Sequence, residues 1–327
     1  MKKTVMITRV FLFLSISIMM ISCTGQTKTA TNEYPDAELV LDTRSGLGEG
    51  AIWNYKSNEL YWVNITEGLL HVFDPSDNSN QTFDMGEMIG TVVPYRENDF
   101  VVALERGIFK LNREDTTFSL LAKPEKNKPD NRFNDGKCDP GGRLWVGTIS
   151  KKGAKKVGGL FRIEPGGDTE QVLDSITISN GIVWTSDMKR MYYIDTPTSS
   201  VYGFDYDVKS GTISGKDIVI LIPKEMGFPD GMTIDEEDKL WIGHWGGYGV
   251  YRWDPETGEY LGRVNVPARN VTSCAFGGEN LDTLYITTAR AGMDDEEQEK
   301  FPLSGGLFKV VPGVKGVKAN LFGKTNY

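Results

Sequence analysis

Six short apolar runs recur along this chain, beginning at residues 60, 100, 144, 191, 240 and 284, so that successive gaps are 40, 44, 47, 49 and 44 residues. Leu240-Trp241-Ile242-Gly243 typifies them, with Leu60-Tyr61-Trp62-Val63 and Leu144-Trp145-Val146-Gly147 as close relatives. Each run follows a Gly, Asp or Asn turn. Each precedes a second pattern of alternating aromatic and polar residues, such as GIFKLN, GGLFRIE and GGLFKVV. Alternation of that kind is the mark of a half-buried strand. Strand, turn, strand at a period in the forties is the sequence signature of a propeller blade. The chain carries 37 glycines, enough for many tight turns, and no stretch after its N-terminal leader has a helical period. The expected fold is therefore all-β: a six-bladed β-propeller with four-stranded antiparallel blades. A β-sandwich would require the six similarities to be chance.

The repeat has an internal offset that bears on chemistry. Asp230 lies 10 residues before Leu240, Asn180 lies 11 before Met191, Asn134 lies 10 before Leu144 and Glu49 lies 11 before Leu60. The same station in the other two repeats holds Ile89-Gly90 and Ser273-Cys274. Placed in the turn leading into each blade's innermost strand, these residues gather at one mouth of the central channel. Glu49, Asn180 and Asp230 then offer two carboxylates and an amide oxygen, hard ligands suited to a divalent cation. Two facing carboxylates with no cation would repel, and one would be forced neutral. One cation is expected, calcium first, with magnesium, manganese or zinc as substitutes. A typical zinc cluster is missing, because the only histidines are His71 and His244. His71 is read as a surface residue and His244 as packing. Arg132, two residues before Asn134, suggests a substrate with hydroxyls, a carboxylate or a polarisable carbonyl.

The N-terminus is read apart from the fold. A basic stretch precedes an apolar segment, residues 10–21, that is short for a membrane span. Met20-Ile21-Ser22-Cys23 then resembles a bacterial lipobox, in which Cys23 would be lipidated. The expected organisation is a lipoprotein signal peptide over 1–22, a polar tether over 23–38 and the propeller over 39–327. Thr24 after the cysteine points to the outer membrane of the bacterial cell envelope, facing the periplasm. The net charge is −9 and the sequence shows no basic stripe, so nothing recommends a nucleic-acid partner. Ring closure hides strand edges, so a monomer is expected.

The motifs LGEGAIWN, RFNDGKCDPGGRLWVGT, ISNGIVW, FPDGMTID and GMDDEEQEKFPLSGGLFKV resemble, in order and from about Leu39 to the C-terminus, the gluconolactonase/regucalcin family of six-bladed propellers. That resemblance implies a mononuclear divalent-metal site with Glu49, Asn180 and Asp230 as ligands. It implies Arg132 and Asn134 as substrate contacts and Asp230 as the acid/base, with metal-activated water as the alternative base. It further implies hydrolysis of a small lactone, with sugar-acid lactones the first expectation. One segment departs: GTISKKGAKK carries Lys151 and Lys152 where some relatives place a substrate-touching Glu. The other readings are a propeller that binds metal or ligand without catalysis, and a hydrolase of another ester.

Three further expectations follow. Cys138 and Cys274 fall in opposite blades and stay unpaired. The acidic run over 293–301 lacks EF-hand spacing and is read as a solvated loop. Trp145, Trp241 and Trp245 pack between blades.

Overall fold

The computed structural model describes residues 1, 32–96 and 98–325. The expected leader over 1–22, Cys23 and the tether up to residue 31 lie outside the described residues, apart from Met1. The rest folds as six sheets, each built on four antiparallel strands. The first blade is Gly48–Asn54, Glu59–Asn64, Leu69–Asp74 and Ser79–Asp84, hydrogen-bonded in chain order. The next four blades repeat this order, with first strands Ile89–Tyr95, Asn131–Cys138, Ser179–Trp184 and Phe228–Ile234. The sixth opens with Asn270–Gly277 and takes its outermost strand, Glu38–Leu41, from the other end of the chain. Blade 6 thus closes the six-bladed propeller by pairing Leu39 with Phe308.

The first strand of each blade packs against the first strands of its neighbours. These six strands therefore line the central channel. The apolar runs noticed in the sequence form the second strands, whose side chains fill the space between blades. Leu60, Leu144, Met191, Leu240 and Leu284 are fully buried. Trp145 and Trp241 are fully buried too, and Trp241 meets Phe276 edge-on at 5.7 Å. A near-continuous apolar run with aromatic bulk is what such a two-sided packing surface demands.

Several expectations change here. The chain joins the propeller before residue 39, because Asn32–Glu33 adds a parallel fifth strand to blade 5. Tyr34 follows it and packs on Trp241 at 5.0 Å. His71 is not at the surface. Only 5% exposed, it stacks on Trp62 at 4.0 Å and pairs its Nδ1 with the Thr82 hydroxyl at 3.0 Å. The acidic run contains a short α-helix, Asp295–Lys300. Asp294 caps it, accepting from the Glu297 amide at 2.9 Å, while Glu297 accepts from the Asp294 amide at 3.3 Å. This reciprocal box starts the helix without any apolar period. Cys138 and Cys274 are free and buried, as expected.

Candidate active site

Glu49, Asn134, Asn180 and Asp230 sit within the innermost strands, not in the turns ahead of them. The strand that follows each, taken as innermost from the sequence, is second in its blade. What aims the four side chains is a β-bulge. Pairing with the second strand slips between Glu49 and Ile52, Phe133 and Gly136, Ser179 and Ile182, and Pro229 and Met232. A bulge inserts extra residues and turns a side chain out of the pleat. Glycine makes two of these bulges possible. Gly50 takes φ of +62°, and a Cβ on Gly181 would lie 2.8 Å from the Asp230 carbonyl oxygen. In the other two blades the slip occurs at Ile89/Thr91 and Val271/Ser273, so those bulges carry no acid or amide.

A hydrogen-bond chain links the site across three blades. Arg132 Nη1 donates to the Phe133 carbonyl at 2.9 Å and to Asn134 Oδ1 at 2.8 Å. Asn134 Nδ2 donates to the Ser179 carbonyl at 2.7 Å and to Asn180 Oδ1 at 3.3 Å. Asn180 Nδ2 donates to Thr196 Oγ1 at 2.8 Å, and that hydroxyl donates to the Pro229 carbonyl at 2.8 Å. Thr196 thus fixes the Asn180 amide and ties it to the strand that carries Asp230.

The electrostatics are strained. Burial raises the Glu49 carboxyl far above its ordinary range, and the charge of Asp135 adds to the rise; the Gly50 amide, at 3.0 Å from Oε2, partly opposes it. Asp230 is raised well above its ordinary value by burial, by Glu49 and by Asp135. Asp135, next to Asn134 in RFND, is itself raised by burial. It was not singled out from the sequence, although its position was a signal. Asp135 Oδ2 and Asp230 Oδ1 are buried without a hydrogen-bond partner. Burial pulls the Arg132 guanidinium down to about 10, against the attraction of Glu49, Glu105 and Asp230. Buried carboxylates with orphaned oxygens fit a bound divalent cation, which would supply the missing positive charge. Among the described residues no three His, Cys, Asp or Glu side chains group as a metal centre. A cation here would therefore draw on Glu49, Asp230 and the Asn180 amide oxygen.

Glu49, Arg132, Asn134, Asn180 and Asp230 all open onto one cavity of about 470 Å³. Sequence reasoning missed several of its other walls. Thr196 and Pro197 come from the Thr196–Thr198 turn after the second strand of blade 4. Phe228 and Trp245 come from the first two strands of blade 5. Trp245 was expected between blades but lines the cavity. His244 beside it is fully buried, stacked on Tyr251 at 3.9 Å, with Nδ1 at 2.9 Å from the Met226 carbonyl. Lys151 and Lys152 do not line this cavity; they pair with Glu105 at 2.7 Å and Asp130 at 2.8 Å.

Comparison with known proteins finds relatives over most of the chain. The family described as SMP-30/Gluconolactonase/LRE-like region matches residues 47–290. A Bacillus subtilis (strain 168) protein provisionally named sugar lactone lactonase YvrE is 38% identical over 84% of this chain and 94% of its own. Regucalcin of Xenopus laevis is 37% identical over 87% of this chain and 97% of its own. Among solved structures, a calcium-binding protein, regucalcin, from Agrobacterium tumefaciens superposes with a TM-score of 0.84 at 27% identity, covering 89% of this chain and 98% of that one.

Proposed function

Because the chain belongs to the SMP-30/gluconolactonase/LRE-like family, we propose that it is a lactone hydrolase that works with one divalent cation at this mouth of the propeller. Glu49, Asn180 and Asp230 would hold the cation, with calcium the first candidate; the calcium-binding regucalcin relative supports that choice. When bound, it would polarise the lactone carbonyl and stabilise the developing oxyanion. The chain's own groups do the rest. Arg132 and Asn134 orient the ring, which is a positioning contribution. Asp230 Oδ1 takes a proton from the attacking water as the new C–O bond forms. That proton then passes to the ring oxygen as the ring C–O bond breaks, leaving a hydroxy acid.

The observation that carries this reading is Asp230 Oδ1, buried and unpartnered beside Glu49. The aldonolactones expected from the sequence are small enough for a cavity of about 470 Å³. A pH-indicator assay with and without chelator tests the proposal. Activity is expected to vanish on chelation and return with calcium. Asp230→Asn should lower kcat by about a thousandfold or more, the scale of losing a general base together with transition-state charge stabilisation. Wild-type rates in that variant would refute the base assignment.

The localisation proposal rests on the sequence alone: an exported lipoprotein anchored through Cys23, held by the outer membrane and facing the periplasm. Radiolabelled palmitate should enter the expressed full-length protein and be absent from Cys23→Ser. Equal labelling of the two would refute the anchor.

A further inference from the structure

The cavity volume admits many lactones, so wall chemistry decides among them. Phe228 and Trp245 are register partners on the first two strands of blade 5, and directly paired residues present their side chains on one face. Phe228 is 44% exposed, a large apolar side chain left open at the cavity wall. Ile149 bridges to Ile178 in the wall formed by blades 3 and 4, and Leu47 and Pro197 extend the carbon surface.

Most polar groups in the cavity are committed, either to the proposed cation or to one another. Glu49, Asn180 and Asp230 form the donor set. Asn134 Nδ2 is used by the Ser179 carbonyl, and the Thr196 hydroxyl by Pro229. Arg132 keeps N–H groups to spare, since its bonds all run from Nη1 and no carboxylate lies within ion-pair distance among the described residues, and the Asn180 amide keeps one N–H after its bond to Thr196. A sugar site normally combines an aromatic platform with polar groups for the ring hydroxyls. Here the platform is edged by Ile149, Ile178, Leu47 and Pro197. Hydroxyls buried against such a wall would lose their water partners without replacement, an unfavourable exchange. A hydrocarbon substituent would lose only unfavourable hydration.

We propose that the preferred substrate is a lactone bearing a hydrocarbon substituent, with its carbonyl toward Asp230 and the substituent on the Phe228–Trp245 ledge. Phe228 and Trp245 are then the specificity-determining residues. This rests on the lactonase reading above and narrows it away from polyhydroxylated rings.

The test compares kcat/KM for δ-decalactone and D-glucono-δ-lactone, above spontaneous hydrolysis, with calcium saturating. The wild-type protein should prefer δ-decalactone by about tenfold or more, the scale of apolar-pocket discrimination. Phe228→Ser, at a position open enough to preserve the fold, should bring that ratio down toward one. Preference for D-glucono-δ-lactone overturns the inference and leaves the lactonase standing. An unchanged ratio in Phe228→Ser overturns the ledge assignment. If the calcium-loaded protein opens neither compound, the lactonase reading fails and this inference fails with it.

Discussion

Asp230 gathers the chemistry of this molecule into one side chain, yet what makes it useful lies in residues that touch its neighbours. Its strand is held through the Pro229 carbonyl by Thr196, which also fixes the Asn180 amide. Thr196 therefore acts as a positioning residue. Thr196→Val keeps the shape and removes the hydroxyl, leaving both the Asn180 Nδ2 and the Pro229 carbonyl without this partner. Outer contacts of this kind typically tune metal affinity by about 10–100-fold. Calorimetric titration with calcium should show weakening of that order in Thr196→Val and near-complete recovery in Thr196→Ser. Equal affinity in all three proteins would mean that the amide is held by its other contacts. The oxygen-bearing residues themselves were legible from sequence, because each sits 10 or 11 residues before an apolar run. Thr196, Pro197 and Phe228 were not. They obey no repeat, and only the ring geometry brings them to the same mouth.

At the level of elements, the repeat revealed how many strands there are and how they pair, but not which strand lies innermost. An apolar run buried on both faces looks alike in either place. The bulges were equally hidden, since a slip in register leaves no mark in composition. Trp241 and Trp245 show the same limit. Four residues apart on one strand, they share a face, but Trp241 is covered by Tyr34 and Phe276. Trp245, at the strand's end, faces the cavity instead. The bulge itself is testable. A Cβ on Gly181 would come within 2.7 Å of Met232 Cγ and 2.8 Å of the Asp230 carbonyl oxygen. Gly181→Ala must push blade 4 away from blade 5 at the site. Overpacking of this sort costs about 1–3 kcal/mol, and calcium affinity should fall with it. Gly166→Ala meets nothing within 4 Å and serves as the control. Matching melting temperatures and affinities in the two variants would show that the close approach is not needed.

For the whole molecule, the ring concentrates acidic groups on its axis, and this sets how stability responds to pH. Glu49, Asp135 and Asp230 are all raised, chiefly by burial. A carboxyl whose folded pKa exceeds its unfolded one binds more protons in the native state. Its stabilising contribution is complete below the unfolded value and is lost as pH climbs through the folded one. The histidines act in the other direction. Burial lowers His71 and His244 from 6.5 to about 4 each. Their contribution is present above 6.5 and is lost as pH falls toward 4. Neither histidine belongs to the donor set, so their effect should cancel between chelated and calcium-saturated samples. What remains is the competition of calcium with protons on Glu49 and Asp230. The stability gained from calcium should grow with pH, by about 1.4 kcal/mol per pH unit for each proton displaced. Denaturant melts from pH 5 to 8.5, with chelator and with excess calcium, read this directly. The chelated protein should lose stability above neutrality while the calcium-loaded protein holds. A calcium increment independent of pH would mean that the ion binds away from these carboxylates, and the candidate site would lose its physical basis.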